Sequence, residues 1–451
     1  MSSHLFHVQE HTFSCSHIRG YPYATADSQE EVLQLAIKQY TPLDNLSPKP
    51  GDITIIAAHA NGFPKELYEP LWDELLPRAK LAGFGIRGIW IADLAHQGQS
   101  GVLNERKLGN DPSWDDHPRD LFLLINHFRH QMPRPLIGIG HSIGGCQLTN
   151  LSLMHPRLFS TLVLIDPVIQ RLASPKGNFA PAAASIVRRD RWPSRAQAAK
   201  IFKQSKFYQS WDPRVLDLWI KHGLRDLPTQ IHPEVTASSI LPALSADPAS
   251  ATPSPQVSAE KEVTLTTTKH QEVFTFLRPV TLPTYNNSAE PLPMSVTHWE
   301  YDPETHGNLA YRPEVVRTFY DLAFLRPSVL YIFGETSALS APVQRAHKMA
   351  ITGTGAAGSG GAEAGRVREI VVQGTGHLIP MEKVAETAQA IGTWVGAEME
   401  RWRAEEAAWE KWRAGVPIEE RSIMMQAHTR IAGDGMAKKA AQKNGRAKAN
   451  L

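Results

Sequence analysis

Short runs rich in β-branched and apolar residues alternate along this chain with longer segments whose apolar residues recur every three or four positions. The short runs are ITIIAAH (53–59), IRGIWIAD (86–93), PLIGIGHS (135–142), TLVLID (161–166), PSVLYIFG (327–334) and REIVVQG (368–374). Runs apolar at successive positions present apolar side chains to both faces of a sheet, so both faces need a cover. Segments such as ELYEPLWDELLPRAK and RDLFLLINHFRHQM have the helical spacing to supply it. The pattern predicts an α/β protein with a largely parallel sheet between helices. An earlier run, VLQLAIKQY, alternates as an outer strand would and is expected to pair with HTFSCSHIRG.

The rhythm breaks after Pro167, where roughly 150 residues precede the next apolar run, far more than an ordinary loop. Parts of this stretch are helical in pattern (SRAQAAKIFKQS, DPRVLDLWIKHG), whereas ALSADPASATPSPQVSAEKE is low in complexity and expected to be flexible. An insertion at that point would lie above the C-terminal ends of the strands as a lid. The expected division is therefore a core over residues 1–169, a lid over 170–315, the rest of the core over 316–415, and a basic tail over 416–451. Within the last core part, EKVAETAQAIGTWVGAEMERWRAEEAAWEKW reads as one long helix. The terminal AKKAAQKNGRAKANL, with five basic residues and no acid, reads as a solvated tail.

Composition narrows the class. At 451 residues and 42% hydrophobic there is ample material for one large core. The charge of +2 calls for neither a nucleic-acid partner nor a basic membrane face. Two cysteines, Cys15 and Cys146, fit a reducing compartment, and neither a secretion signal nor a membrane span is evident. A soluble intracellular protein is expected.

The segment GIGHSIGG (138–145) concentrates the candidate chemistry. Gly140-His141-Ser142-Ile143-Gly144 is a G-x-S-x-G turn between a buried strand and a helix, where glycines allow the sharp reversal that lifts the serine hydroxyl out of the sheet. The bland alternative is a tight turn packing a helix onto the sheet. A phosphate loop is a poor alternative, because no Lys-Ser/Thr pair follows the glycines. A serine nucleophile needs a base. Of 19 histidines, His377 in VVQGTGHLIPME lies just past the last strand, where Gly374 and Gly376 allow a loop back to the sheet edge. No histidine pair has zinc spacing, and no metal or cofactor is called for.

The acid has two candidates. Glu335 follows the strand after the lid, in IFGETSALS, with Ser337 where an aspartate would commonly stand. Asp166 ends the strand before the lid, in LVLIDP, and is preferred for holding the imidazole. For an oxyanion, the amide of Ile143 is one donor. The second is expected from HANGFP (59–64), where Asn61, Gly62 and Phe63 are all eligible and Phe63 is chosen. Asp93 and His96, in ADLAHQGQSG, read as structural. GTGAAGSGGAEAG (353–365) reads as a flexible connector. The run RRDRWPSRAQAAKIFKQSK (188–206) holds seven Lys/Arg against one Asp, so Arg188, Arg189 and Arg191 are candidates for docking the phosphates of a carrier such as coenzyme A.

With these residues placed, the chain resembles a fungal branch of the α/β-hydrolases, the MpaH-type peroxisomal acyl-CoA thioesterases of mycophenolic acid biosynthesis. It is more loosely similar to hydrolases of host-selective-toxin clusters and to yeast peroxisomal lipase. The stretches that carry this are QYTPLDN, GFPKELYEPLWDELL, DPSWDDHPRDL, HFRHQMPRPLIGIGHSIGG, HPRLFSTLVLIDPVIQ, GRVREIVVQGTGHLIP and the Trp-rich terminal helix. The resemblance implies an α/β-hydrolase fold with a lid and a triad of Ser142, Asp166 and His377. It further implies an acyl-CoA thioester substrate in secondary metabolism and a peroxisomal address. Ala449-Asn450-Leu451 would then serve as a variant of the Ser-Lys-Leu signal read by an import receptor. A homodimer is compatible with this reading. The competing functions are a carboxylester or triacylglycerol lipase with the same triad, and a catalytically silent binding protein on the same fold.

Overall fold

Each of the six apolar runs is a strand in the computed structural model, which describes residues 4–172, 175–234, 261–280, 292–304, 306 and 309–448. Eight strands form one sheet: β1 (Phe6–Ser14), β2 (Gln34–Pro42), β3 (Ile53–Ala58), β4 (Ile86–Ala92), β5 (Leu136–His141), β6 (Thr161–Ile165), β7 (Ser328–Gly334) and β8 (Val367–Val372). Their order is β1-β2-β4-β3-β5-β6-β7-β8. Only β2 runs against its neighbours, pairing antiparallel with β1 and β4; every other pairing is parallel. Every residue of β3, β5, β6 and β7 is buried, as strands covered on both faces require. The edge strand β8 exposes Arg368 and Glu369 instead, and charge on an edge discourages pairing with another sheet.

The covering helices include α1 (Glu69–Leu81), α2 (Asp116–His127) and α3 (Ile143–Met154), followed after the lid by α8 (Pro313–Asp321), α9 (Pro342–Ile351) and α10 (Val384–Ala414). Helix α10 is fastened to the sheet by polar bonds as well as by burial of Ala388, Ile391 and Val395. Trp394 Nε1 donates to Thr161 Oγ1 at 2.8 Å, and Ser328 Oγ donates to Glu398 Oε2 at 2.6 Å. These bonds sit where β6 and β7 begin, the end of the sheet opposite to Ser142.

The lid leaves the core after β6, and the chain rejoins the core at α8. Its described part contains α4 (Pro175–Val187), α5 (Arg195–Gln204), α6 (Pro213–His222) and α7 (Lys269–Phe276). A small antiparallel sheet joins Arg191–Trp192 and Leu224–Asp226 to the two sides of Val263–Leu265. All of the low-complexity stretch except Lys261 and Glu262 lies outside the described residues.

Residues 353–365 depart from the expected free connector. The amides of Gly353, Gly355 and Ser359 donate to the carbonyls of Leu322, Ala323 and Leu325, each at 2.8 Å. Positive φ at Gly353, Gly360, Gly361 and Gly365 turns the chain repeatedly against that turn, so its glycines serve a pinned loop. The chain divides into two units, 1–399 and 400–451. The second is helical to Lys448, through α11 (Gln426–Lys448), where the basic composition alone suggested only a tail. Its alanine and lysine content explains the difference, since both are strong helix formers. Ala449-Asn450-Leu451 lies outside the described residues.

Candidate active site

The turn from β5 into α3 places Ser142 in the left-handed region, at φ +59° and ψ −120°. Non-glycine residues hold such a conformation at a cost of roughly 1–3 kcal/mol. Its neighbours must be glycines for a different reason. A Cβ on Gly140 would lie 2.5 Å from the Gly144 carbonyl oxygen, and one on Gly144 would lie 2.3 Å from the Ala58 carbonyl oxygen. The elbow therefore fits only when helix, strand and turn approach without side chains between them.

Three of the expected residues converge there. Ser142 Oγ lies 2.8 Å from His377 Nε2, and His377 Nδ1 lies 2.6 Å from Asp166 Oδ2. Asp166 reaches inward from the end of β6 with φ +40°, its amide held by the Ile332 carbonyl at 2.8 Å. Burial pushes the Asp166 carboxyl up, but hydrogen bonds from His377 and Ser337 outweigh it and hold the group below the ordinary carboxylate range. Ser337 Oγ donates to the same Oδ2 at 2.5 Å. The residue standing where a second carboxylate would be expected thus clamps the first. Glu335, the competing acid, takes the Gly374 amide on Oε2 at 2.9 Å. It braces the loop that carries His377 instead of touching the ring.

The oxyanion expectations divide. Among the described residues the Ile143 amide, at the start of α3, has no acceptor, as a donor for a developing negative charge requires. The Phe63 amide donates to the Ala60 carbonyl at 3.2 Å, closing a turn, and the Gly62 amide donates to Gln97 Oε1 at 2.8 Å. Of the three candidates the Asn61 amide is the one left without an acceptor among the described residues, so the second donor moves from Phe63 to Asn61. The shift follows from the loop's reversal: Gly62 at φ +81° folds the Phe63 amide back onto its own turn. The side chain of Phe63 instead faces a cavity of about 720 Å³ above Ser142. Aromatic side chains of the lid, among them Trp192, Phe202, Tyr208 and Trp219, line that cavity.

The three arginines do not make one anion cradle. Arg188 and Arg189 line the cavity, but Arg188 Nη1 donates to Glu272 Oε2 at 3.0 Å. Arg191 pairs with Glu262 at 3.0 Å and is not among the cavity-lining residues. Arg189 stacks at 5.9 Å over Trp192 and gives its Nε to the Arg191 carbonyl. Asp93 and His96 are structural as expected: Asp93 holds Lys65 Nζ at 2.6 Å, and His96 meets Thr275 Oγ1 at 2.8 Å.

Ser337, Tyr68 and His141 are the site's unforeseen members. Ser337 was visible only as a missing aspartate, and His141 only as the variable residue of the elbow. Nothing in the local pattern marks Tyr68. Among the described residues no group of side chains has the makings of a metal site.

Comparison with known proteins agrees with this architecture. Residues 55–390 match the family model described as "Alpha/beta hydrolase family". The chain is 45% identical over 427 residues to the type I acyl-CoA thioesterase mpaH of Penicillium roqueforti, covering 92% of this chain and 93% of that protein. It is 28% identical over 264 residues to the abhydrolase domain-containing protein AFT2-1 of Alternaria alternata, covering 58% and 84%. The solved structure of the peroxisomal alpha-beta-hydrolase Lpx1 from Saccharomyces cerevisiae superposes with a TM-score of 0.63 at 15% identity, covering 97% and 98%. At that identity the likeness is one of fold.

Proposed function

Because this chain belongs to the alpha/beta hydrolase family, with a serine, an imidazole and a carboxylate in hydrogen-bonded sequence, we propose that it hydrolyses an acyl-CoA thioester to the free acid and coenzyme A. The observation that carries the reading is the 2.8 Å approach of His377 Nε2 to Ser142 Oγ at the floor of an apolar cavity. The thioesterase relatives at 45% identity support the thioester. In this mechanism His377 takes the proton of Ser142 as its oxygen attacks the acyl carbonyl. Asp166 holds the imidazole in the tautomer that accepts at Nε2 and balances its charge once protonated. The amides of Ile143 and Asn61 receive the oxyanion; one such donor is typically worth about 100–1,000-fold in rate. A thiolate departs more readily than an alkoxide, and His377 then activates the water that frees the acid.

The cavity accommodates the acyl group. Its aromatic lining favours an apolar acid from fungal secondary metabolism over a small polar one. Of the three arginines Arg189 is the one whose charge has no carboxylate partner among the described residues, so it is the one we assign to the coenzyme's phosphates. Import into peroxisomes, with Ala449-Asn450-Leu451 as the signal, belongs to the same proposal.

The test measures thiol release from a panel of acyl-CoA esters beside matched p-nitrophenyl and glyceride esters. Ser142→Ala should lose at least about 10⁴-fold in kcat and all labelling by a fluorophosphonate. Activity of Ser142→Ala within tenfold of wild type would end the serine mechanism. A tenfold preference for oxygen esters would replace the thioesterase with a carboxylesterase.

A further inference from the structure

A second imidazole lies beside the first. The rings of His141 and His377 are 5.2 Å apart, and His141 is buried to 1% exposure. Its two nitrogens are both occupied: Nδ1 lies 2.9 Å from the Tyr68 hydroxyl, and Nε2 lies 2.9 Å from the backbone carbonyl of His377. The directions of these bonds follow from counting protons. The Tyr68 oxygen already accepts the Ala60 amide at 2.9 Å, so its single proton is given to His141 Nδ1. That leaves the proton of His141 on Nε2, donated to the His377 carbonyl, which can only accept. The chain of bonds therefore runs one way, from Ala60 through Tyr68 and His141 to His377.

The four residues come from the ends of different elements. Ala60 follows β3 in the oxyanion loop, Tyr68 precedes α1, His141 ends β5 beside the nucleophile, and His377 lies in the loop after β8. The Ala60 carbonyl is gripped in turn by His59 Nδ1 at 2.8 Å, so the oxyanion loop is held at both the amide and the carbonyl of Ala60.

Resting on the hydrolase reading above, we propose that Tyr68 and His141 form a positioning relay that locks the backbone of His377 to the oxyanion loop, so that base and oxyanion donors keep one spacing through both steps. Neither residue is in the hydrogen-bonded sequence that moves the proton. Burial keeps His141 neutral, pushing it down to about 3, with the nearby His377 ring acting in the same direction. It does not compete as a base, and it adds no positive charge next to an imidazolium. Without the Tyr68 proton, His141 is free to take the other tautomer, whose Nε2 lone pair would face the His377 carbonyl and repel it.

The full-length protein, with Tyr68→Phe, His141→Leu, His141→Gln and the double variant Tyr68→Phe/His141→Leu, tests this by steady-state thioester hydrolysis and by the rate of fluorophosphonate labelling. Circular dichroism of each variant accompanies both. Tyr68→Phe should lower kcat about tenfold and His141→Leu about 100-fold, with KM within twofold and labelling slowed in proportion. His141→Gln places an amide N–H near the position of Nε2 and should recover at least tenfold over His141→Leu. The double variant should be slower than His141→Leu by well under the tenfold lost in Tyr68→Phe alone, because the link from Tyr68 to His377 runs through His141 and only the bond to the Ala60 amide remains to be lost. Losses that multiply in the double variant, or folded His141→Gln no faster than folded His141→Leu, would overturn the relay. So would a folded Tyr68→Phe with unchanged kcat and labelling. A wild-type protein that neither labels nor turns over would overturn the hydrolase reading and the relay with it, whereas labelling of wild type beside unaffected variants overturns the relay alone.

Discussion

Replacing Ser337 with alanine isolates how much the triad depends on a residue that touches neither the base nor the nucleophile. Ser337 Oγ donates to Asp166 Oδ2 at 2.5 Å and accepts the Leu339 amide at 3.2 Å. The recipient is a buried carboxylate, 1% exposed, whose other oxygen has no hydrogen-bond partner among the described residues. A hydrogen bond to such a charge is worth roughly 1.5–3 kcal/mol, and Ser337→Ala should lower the unfolding free energy at pH 7 by that amount. Since Ser337 helps hold the Asp166 carboxyl below its ordinary value, its loss raises that value. The stability Asp166 contributes is present at neutral pH and is lost as pH falls through its folded-state value. The variant therefore gives it up at a higher pH than wild type. For catalysis the same energy, if all of it acted in the transition state, bounds the loss at about 10–150-fold in kcat. Removing the carboxylate charge itself costs about 10⁴-fold in serine proteases. Urea unfolding followed by tryptophan fluorescence, at pH 7 and pH 5, gives the first number, and pre-steady-state thiol release gives the second. Ser337→Thr, which keeps the hydroxyl, is the control. A Ser337→Ala protein within about 0.5 kcal/mol and twofold of wild type would refute the clamp.

Two further outcomes follow from the same geometry. Gly144→Ala would place a methyl group 2.3 Å from the Ala58 carbonyl oxygen, so the elbow or β3 must move; a loss of about 1–3 kcal/mol in chemical denaturation is expected, together with slowed labelling, and an unchanged unfolding midpoint would contradict it. Glu272, buried in the lid between Arg188 and Ser185, has its carboxyl pushed up from 4.5 to about 7, chiefly by burial. A folded state that binds this proton more tightly than the unfolded chain is stabilised below 4.5, and that advantage disappears as pH rises to about 7. At about 1.4 kcal/mol per unit, wild type should lose ~3 kcal/mol relative to Glu272→Gln across that window; parallel stability profiles of the two proteins would show the group is not shifted.

How far the fold could be read in advance depended on how local the constraint was. Strands β3 to β7 were legible because burial on both faces forces nearly uninterrupted apolar runs, and the turn at Ser142 because a Cβ at Gly140 or Gly144 has nowhere to go. His377 was legible by position, since a loop after the last parallel strand must emerge at the same edge as the elbow. Loop interiors were less accessible. The choice among Asn61, Gly62 and Phe63 turned on which amides the loop consumes, and Gln97, which takes one of them, lies 35 residues away.

What the amino-acid order settled alone is therefore the sheet, the nucleophile turn and the strand ends at which a base and an acid must stand, all products of steric and hydrophobic rules acting over a few residues. What only the folded chain decided is the division of labour among the other polar groups: Glu335 braces the loop of His377, Ser337 clamps Asp166, and Arg188 and Arg191 are bound to Glu272 and Glu262. A hydrogen bond is made or missed over a few tenths of an ångström, and distances of that kind are fixed only when distant segments have been packed against one another.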